Sequence, residues 1–420
     1  MDDYIHVMLT AALYSLQTEA SNCRTQLSYE LLDPSSRYYL LLYKQMSTSP
    51  WYDHIVKFGS GNSSSSPMAF LHILFVGLIV LVSAAANINA AENSNGGNNQ
   101  VAAVFVFGDS LVDTGNNNYI PTIAKSNFPP YGRDFPGKRP TGRFSNGRGV
   151  SDFIAEILGV KELLPPYLDP NLELQQLLTG VCFASSGAGY DPRTSKLASA
   201  IPITSQLNMM KEYIRKMNAT VGEERVKEIT SRSAYMIFMG SNDVTNIYPV
   251  VKALYSEDSY TDLMINLATD FFQKLHAIGA RRIGLLNLPP TGCAPALRVL
   301  TGGGERACSE SLNRRIRLFN SKLSSAVDKM NQELPGAKFV LFDVYSPVLS
   351  LVQNPAPYGF EEVARGCCGT GNIETAGLCV LPGTCTDATK YLFWDSFHPT
   401  ETASRILAYQ ALSPNLSKFF

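Results

Sequence analysis

Beyond residue 100 the sequence alternates short, uniformly apolar runs of β type with longer segments of helical spacing. That alternation restricts the fold more than any other feature. The runs are VAAVFVF (101–107), SAYMIFM (233–239), RRIGLLNL (281–288) and AKFVLFD (337–343), with a shorter one, GVCFA, at 180–184. Between them lie SDFIAEIL (151–158), TDLMINLATDFFQKLHAIG (261–279) and SLNRRIRLFNSKLSSAVDKMNQ (311–332), whose apolar residues recur at helical intervals. Strands that are apolar along their whole length need cover on both faces, which a parallel sheet between helical layers provides. No repeat, heptad pattern or second linker interrupts the series, so residues 91–420 are expected to form one α/β domain. In such a sheet ligands bind at the carboxyl ends of the strands. Three runs end there in polar turns: Gly-Asp-Ser-Leu (108–111), Ser-Ser-Gly-Ala-Gly (185–189) and Gly-Ser-Asn-Asp (240–243).

The chain is 45% hydrophobic and 17% charged, with a formal net charge of −1 and no Lys/Arg run longer than two. This balance is that of a globular protein and points to no nucleic-acid or acidic-membrane partner. The most apolar stretch, residues 69–86, follows Met68 and gives way to small residues and then to an Asn/Gly-rich tract. It reads as a secretory signal peptide at 68–90, although its length is near that of a membrane anchor and no Lys or Arg precedes the apolar run. After its removal no stable membrane span is expected. Residues 1–67 carry no domain pattern and end in GSGNSSSSP; they are expected to be a gene-model extension, with translation starting at Met68.

Seven cysteines follow the apolar stretch, so at least one is expected to be unpaired. Cys182, in the compact run VCFASSGAG, is the expected free thiol. Cys293 and Cys308 flank a Gly-rich loop and are expected to pair, while Cys367, Cys368, Cys379 and Cys385 fall in a second loop whose connectivity stays open. Disulfides suit an exported chain; a zinc site is the competing reading, disfavoured because no C-x-x-C occurs. Asn218-Ala-Thr and Asn415-Leu-Ser are glycosylation sequons, relevant only to an exported chain.

Of five histidines, only His276 and His398 lie beyond the signal segment. His276 belongs to an amphipathic helical pattern and reads as a surface or boundary residue. His398 lies in WDSFHP, three residues after Asp395, where a tight turn lets the carboxylate hold the imidazole in one tautomer. An imidazole base calls for a nucleophile, and Ser110 ends the first apolar run on a Gly-Asp-Ser turn. Ser110-Leu-Val-Asp113 equally matches a helix-capping box, and a helix starting there would also favour negative charge. Oxyanion donors could come from the backbone N–H groups of Ser110 and Gly187 and from the Asn242 amide; ordinary turn roles are the alternatives for Gly187 and Asn242. No G-x-S-x-G elbow, P-loop or H-E-x-x-H motif is present, and no metal or organic cofactor is implied.

FGDSLVDTGNNNYI (107–120), FASSGAG (183–189), GSND (240–243) and FWDSFHPTE (393–401) resemble the signature blocks of the plant-type GDSL esterase/lipases, within the SGNH hydrolases. TGRFSNGR (141–148) and GCCGTG (366–371) also look like family features, and the resemblance extends from about residue 103 to 413. It implies a three-layer α/β/α fold, flavodoxin-like, with a mainly parallel central sheet. It implies a secreted serine esterase acting on a small-molecule or lipid ester. Ser110, Asp395 and His398 would be the triad; Ser110, Gly187 and Asn242 would form the oxyanion hole. The family usually has Asn-Phe-Ala-Ser-Gly-Gly-Ala-Gly in the second block, where this chain has Cys182 for the Asn and Ser186 for the first paired glycine. Loss of a bracing amide and a Cβ where the turn favours positive φ predict reduced activity. Two further readings use the same features: an acyltransferase working through the same acyl-enzyme, and a secreted binding protein that has lost catalysis.

Overall fold

The computed structural model describes residues 101–380 and 383–420. The expected signal peptide and the segment before it lie outside the described residues. Four strands, β1 (Val104–Gly108), β2 (Ala234–Phe238), β3 (Arg282–Leu286) and β4 (Lys338–Phe342), form a parallel sheet in the order β1-β2-β3-β4. Each is the centre of one of the apolar runs. The GVCFA run adds a fifth, irregular edge beside β1. Val104 and Val106 donate to the Thr179 and Val181 carbonyls, while Phe183 and Ser185 donate to those of Val106 and Gly108. In chain order the sheet therefore reads 2-1-3-4-5, the flavodoxin-like order, whose topological switch lies at the carboxyl end of β1.

Side chains along each strand alternate between two apolar layers. Phe105, Phe107, Tyr235, Ile237, Ile283 and Phe339 face one layer; Val104, Val106, Met236, Phe238, Val340 and Phe342 face the other. The first layer is closed by α2 (Ile203–Val221), α3 (Glu223–Arg232), α4 (Glu257–Ala277) and α5 (Glu310–Glu333); the second by α1 (Val150–Ile157), α6 (Tyr345–Gln353) and α7 (Glu401–Leu412). This is the α/β/α arrangement that uniformly apolar strands require. On α5 the buried residues Leu312, Ile316, Phe319, Leu323, Val327 and Met330 recur every three or four positions, one stripe of a 3.6-residue helix. Side-chain caps fix two helix starts: Ser256 accepts from the Ser259 N–H ahead of α4, and Thr400 accepts from that of Ala403 ahead of α7.

A small parallel pair, β5 (Glu362–Gly366) and β6 (Tyr391–Phe393), stands apart from the main sheet. Around it, Cys367 is joined to Cys385 and Cys368 to Cys379, and a third disulfide joins Cys293 to Cys308. Cys182 is free and buried. The Cys293–Cys308 segment, read as a Gly-rich loop, contains a short helix, Pro295–Thr301. Asn218 is exposed on α2 and Asn415 half-buried near the carboxyl terminus. Among the described residues no helix is long and apolar enough to cross a membrane.

Candidate active site

The site is built at the switch point. Gly108 ends β1 with φ 150°, and a Cβ there would lie 2.1 Å from the Phe238 carbonyl oxygen, so the chain can leave the strand this close to β2 only through glycine. The following residues form a turn in which the Asp109 carbonyl accepts from Val112 and Asp113. No helix begins at Leu111, which overturns the capping-box reading of Ser110 and the helix-terminus argument that went with it. The Ser110 hydroxyl instead lies 2.7 Å from His398 Nε2.

His398 is placed by its own turn. Asp395 Oδ1 accepts the N–H groups of Phe397 and His398, both at 2.8 Å, while Nδ1 of the ring lies 2.8 Å from each Asp395 oxygen. The Trp394 N–H closes the turn by donating to the His398 carbonyl at 2.7 Å. Asp395 is fully buried. Burial alone would raise its carboxyl; the His398 ring and the surrounding hydrogen bonds outweigh it and hold the carboxyl below its ordinary value. A carboxylate held this way orients an imidazole so that Nε2 can take a proton from the hydroxyl it faces. His276 stands near the end of α4 and does not line the cleft, in keeping with the boundary reading.

Ser110, Gly187, Asn242 and His398 line one cleft with a free volume of about 310 Å³. The backbone N–H groups of Ser110 and Gly187 have no acceptor among the described residues. Gly187 has φ 87°, and a Cβ on it would lie 2.6 Å from that of Ala198. Asn242 does not form an Asx turn. Its Nδ2 donates to the Ala188 carbonyl at 3.0 Å and its Oδ1 accepts from Asn246 at 3.2 Å, leaving one amide hydrogen unused.

The second block departs from expectation. Positive φ falls on Gly187, not on Ser186. Ser186 donates its N–H and its hydroxyl to Asp113 Oδ2, at 3.0 and 2.9 Å. Bracing of the loop comes from the asparagine run: Asn116 Nδ2 donates to the Cys182 and Ala184 carbonyls, and Asn117 Nδ2 to those of Ala124 and Ser186. The Cys182 thiol donates to the Val112 carbonyl, and burial pushes it up to about 12. Thus neither substitution leaves a broken turn.

Further residues complete the surroundings of the triad. Tyr131 and Thr375 donate to Asp395 Oδ2 at 2.7 and 2.9 Å. Phe144 packs on the His398 ring with centroids 4.6 Å apart, and its neighbour Arg143 is anchored bidentately on buried Asp152. Two buried acids adjoin site residues in the chain, Asp109 before Ser110 and Asp243 after Asn242. Burial pushes Asp109 up to about 8, with the Leu111 N–H opposing and the Asp243 and Asp113 charges adding to the rise; burial likewise pushes Asp243 up to about 7. Phe144 and Arg143 fall within TGRFSNGR (141–148), whereas nothing local to Tyr131 or Thr375 signals their partner.

The family model for GDSL-like lipase/acylhydrolase matches residues 104–411, from the start of β1 to the last turn of α7. A GDSL esterase/lipase of Arabidopsis thaliana is 49% identical over 315 residues, covering 74% of this chain and 90% of its own length. A second from that plant is 45% identical over 320 residues, covering 76% of this chain and 87% of its own. The Arabidopsis thaliana GDSL esterase/lipase EXL3 is 45% identical over 323 residues, with 76% and 89% covered. The matched span holds every strand of the sheet and every residue of the cleft described above, and the chain belongs to the GDSL-like lipase/acylhydrolase family, a family of ester hydrolases.

Proposed function

We propose that the protein is a secreted serine esterase that works through an acyl-enzyme on Ser110. The observation that carries this reading is the continuous contact from Ser110 Oγ to His398 Nε2 and from His398 Nδ1 to Asp395. In the reaction the Ser110 oxygen attacks the ester carbonyl while Nε2 takes its proton. Asp395 stabilises the imidazolium so formed. The N–H groups of Ser110 and Gly187 and the free amide hydrogen of Asn242 receive the oxyanion, where fixed donors contribute most because they need no reorganisation. Collapse expels the alcohol, which takes the proton from His398. A water molecule, deprotonated by His398, then attacks the acyl-enzyme and releases the acid with Ser110 restored.

Export is part of the proposal. Residues 68–90 act as a signal peptide and residues 91–420 are the mature domain. Three disulfides support this, since such bonds persist in oxidising compartments. N-terminal sequencing of native protein tests it, and a peptide from residues 1–67 would sink the reading of that segment as a gene-model extension.

The test of catalysis is hydrolysis of p-nitrophenyl esters by the chain produced through the secretory pathway. Ser110→Ala is expected to lose at least about 10³-fold in kcat, whereas His276→Ala stays near wild type. Equal losses in the two variants would remove His398 from its role.

A further inference from the structure

The three oxyanion donors come from three segments of the chain, and the sheet fixes only two of them. Ser110 and Asn242 follow the paired strands β1 and β2, whose ends are joined by the Asp109 N–H on the Phe238 carbonyl. Gly187 lies in a loop that leaves the sheet at Ser185, whose N–H donates to the Gly108 carbonyl, and runs without helix or strand to the short helix Pro192–Ala198. Two buried carboxyl groups hold that loop. On its near side Asp113 Oδ2 accepts the N–H and the hydroxyl of Ser186, at 3.0 and 2.9 Å, while Oδ1 accepts the N–H groups of Gly115 and Asn116 in its own turn. On its far side Asp243 Oδ2 accepts the Tyr190 N–H at 2.9 Å, while Oδ1 accepts the Asp191 N–H at 3.0 Å and the Thr194 hydroxyl. A Cβ on Gly189 would lie 2.4 Å from Asp243 Oδ1, so the loop comes this close to the carboxyl only through glycine.

Each carboxyl belongs to the turn of a different donor: Asp113 follows Ser110 by three residues, and Asp243 follows Asn242 directly. The Gly187 N–H is thereby tied to the nucleophile's turn on one side and to the Asn242 turn on the other. Burying two carboxyls costs stability, because burial disfavours their charge. What a carboxyl supplies in exchange is an acceptor at both oxygens and, once ionised, no hydrogen of its own. An amide in either place would set an NH₂ group against one set of these donors. Donors stabilise an oxyanion most when they are already fixed, and a misplacement of about 1 Å can cost about 10²-fold. We infer that Asp113 and Asp243 are positioning residues of the oxyanion hole, which clamp the 186–191 loop at its two ends and so hold the Gly187 N–H in register with the donors of Ser110 and Asn242.

The positioning role rests on the serine-esterase reading and is tested apart from it. Asp113→Asn and Asp243→Asn, made separately in the full chain, keep the side-chain shape and lose one acceptor oxygen each. Each is expected to lower kcat on p-nitrophenyl butyrate by about 10–100-fold, with KM within about twofold of wild type. Affinity for an alkyl trifluoromethyl ketone is expected to weaken by the same factor. On that probe Ser110 Oγ bonds to the carbonyl carbon, the π pair moves to oxygen as an oxyanion and the serine proton passes to His398, so its affinity reports the hole directly. Met217→Ala, a core truncation on α2 that does not line the cleft, is the control; it is expected to lower the melting temperature and leave kcat unchanged. Folded Asn variants that lose stability but keep kcat and ketone affinity overturn the inference, as does a change confined to KM. Should neither Asn variant fold, Thr194→Val decides. It removes one donor to Asp243 and is expected to lower kcat about two- to fivefold, and an unchanged kcat overturns the clamp. Wild-type protein that is folded yet neither active nor labelled at Ser110 by a fluorophosphonate refutes the serine esterase and the clamp with it. Active, labelled wild type beside fully active Asn variants refutes the clamp alone.

Discussion

The phenol of Tyr131 donates to Asp395 Oδ2 at 2.7 Å and itself accepts the Ala376 N–H at 2.9 Å. It ties the loop before α1 to the disulfide-bound loop after β5, with the carboxylate that holds His398 between them. Burial and then the adjacent Asp395 charge push the phenol far above its ordinary value, so it stays a donor at every working pH.

Tyr131→Phe removes a charge-assisted hydrogen bond, which contributes about 1.5–3 kcal/mol. Its loss is expected to lower kcat/KM by roughly tenfold or more. The carboxyl's own titration shifts as well. Donation stabilises the ionised Asp395, whose folded pKa lies below the ordinary value, so the ionised form is lost only as pH falls through that low value. Without the phenol the folded pKa of Asp395 rises, which NMR titration of its carboxyl in the folded variant measures. An unmoved carboxyl titration in the variant would show that Tyr131 does no more than fill space.

Asn242→Ala is expected to lower kcat by about 10²–10³ with little change in KM, the pattern of a donor used in the transition state. Steady-state kinetics on one ester suffices. A change confined to KM would make Asn242 a substrate-binding residue.

Ser186→Gly restores the residue usual for the family, but here it removes two-point contact with buried Asp113 down to one. A loss of about 1 kcal/mol in stability is expected, without any gain in turnover. Urea unfolding and the p-nitrophenyl assay measure the two effects, and a clear rise in turnover would reinstate Ser186 as a defect.

Asp109→Asn keeps the acceptor for the Leu111 N–H and removes a buried group that can ionise. In the wild type Asp109 is raised from 3.8 to about 8, so between those values the folded state holds a proton that the unfolded state has released. Stability therefore falls as pH rises across that window. The variant is expected to melt higher than wild type by several degrees at pH near 8, with the gain vanishing near pH 4. A gain independent of pH would mean that charge is not its cause.

Local pattern alone determined much of this protein. Each of the four long apolar runs became a strand, because a segment apolar on both faces has few other places to go. The longer periodic segments became α1, α4 and α5 with ends displaced by a few residues. Asp395 and His398 were legible as a pair because three residues of turn bring them together without help from the rest of the chain. The helix α2 was equally periodic, at Ile203, Leu207, Met210, Tyr213 and Met217, yet carried no motif to draw notice. What the tertiary structure decided was every relation between distant segments. Ser110 meets His398 across 288 residues and Tyr131 meets Asp395 across 264, and no spacing rule reaches that far. The partners within the four-cysteine loop and the asparagine bracing of the second block have the same origin. They depend on how sheet, helices and loops pack against one another, and packing is set by the sum of many weak contacts rather than by any residue's neighbours in the chain.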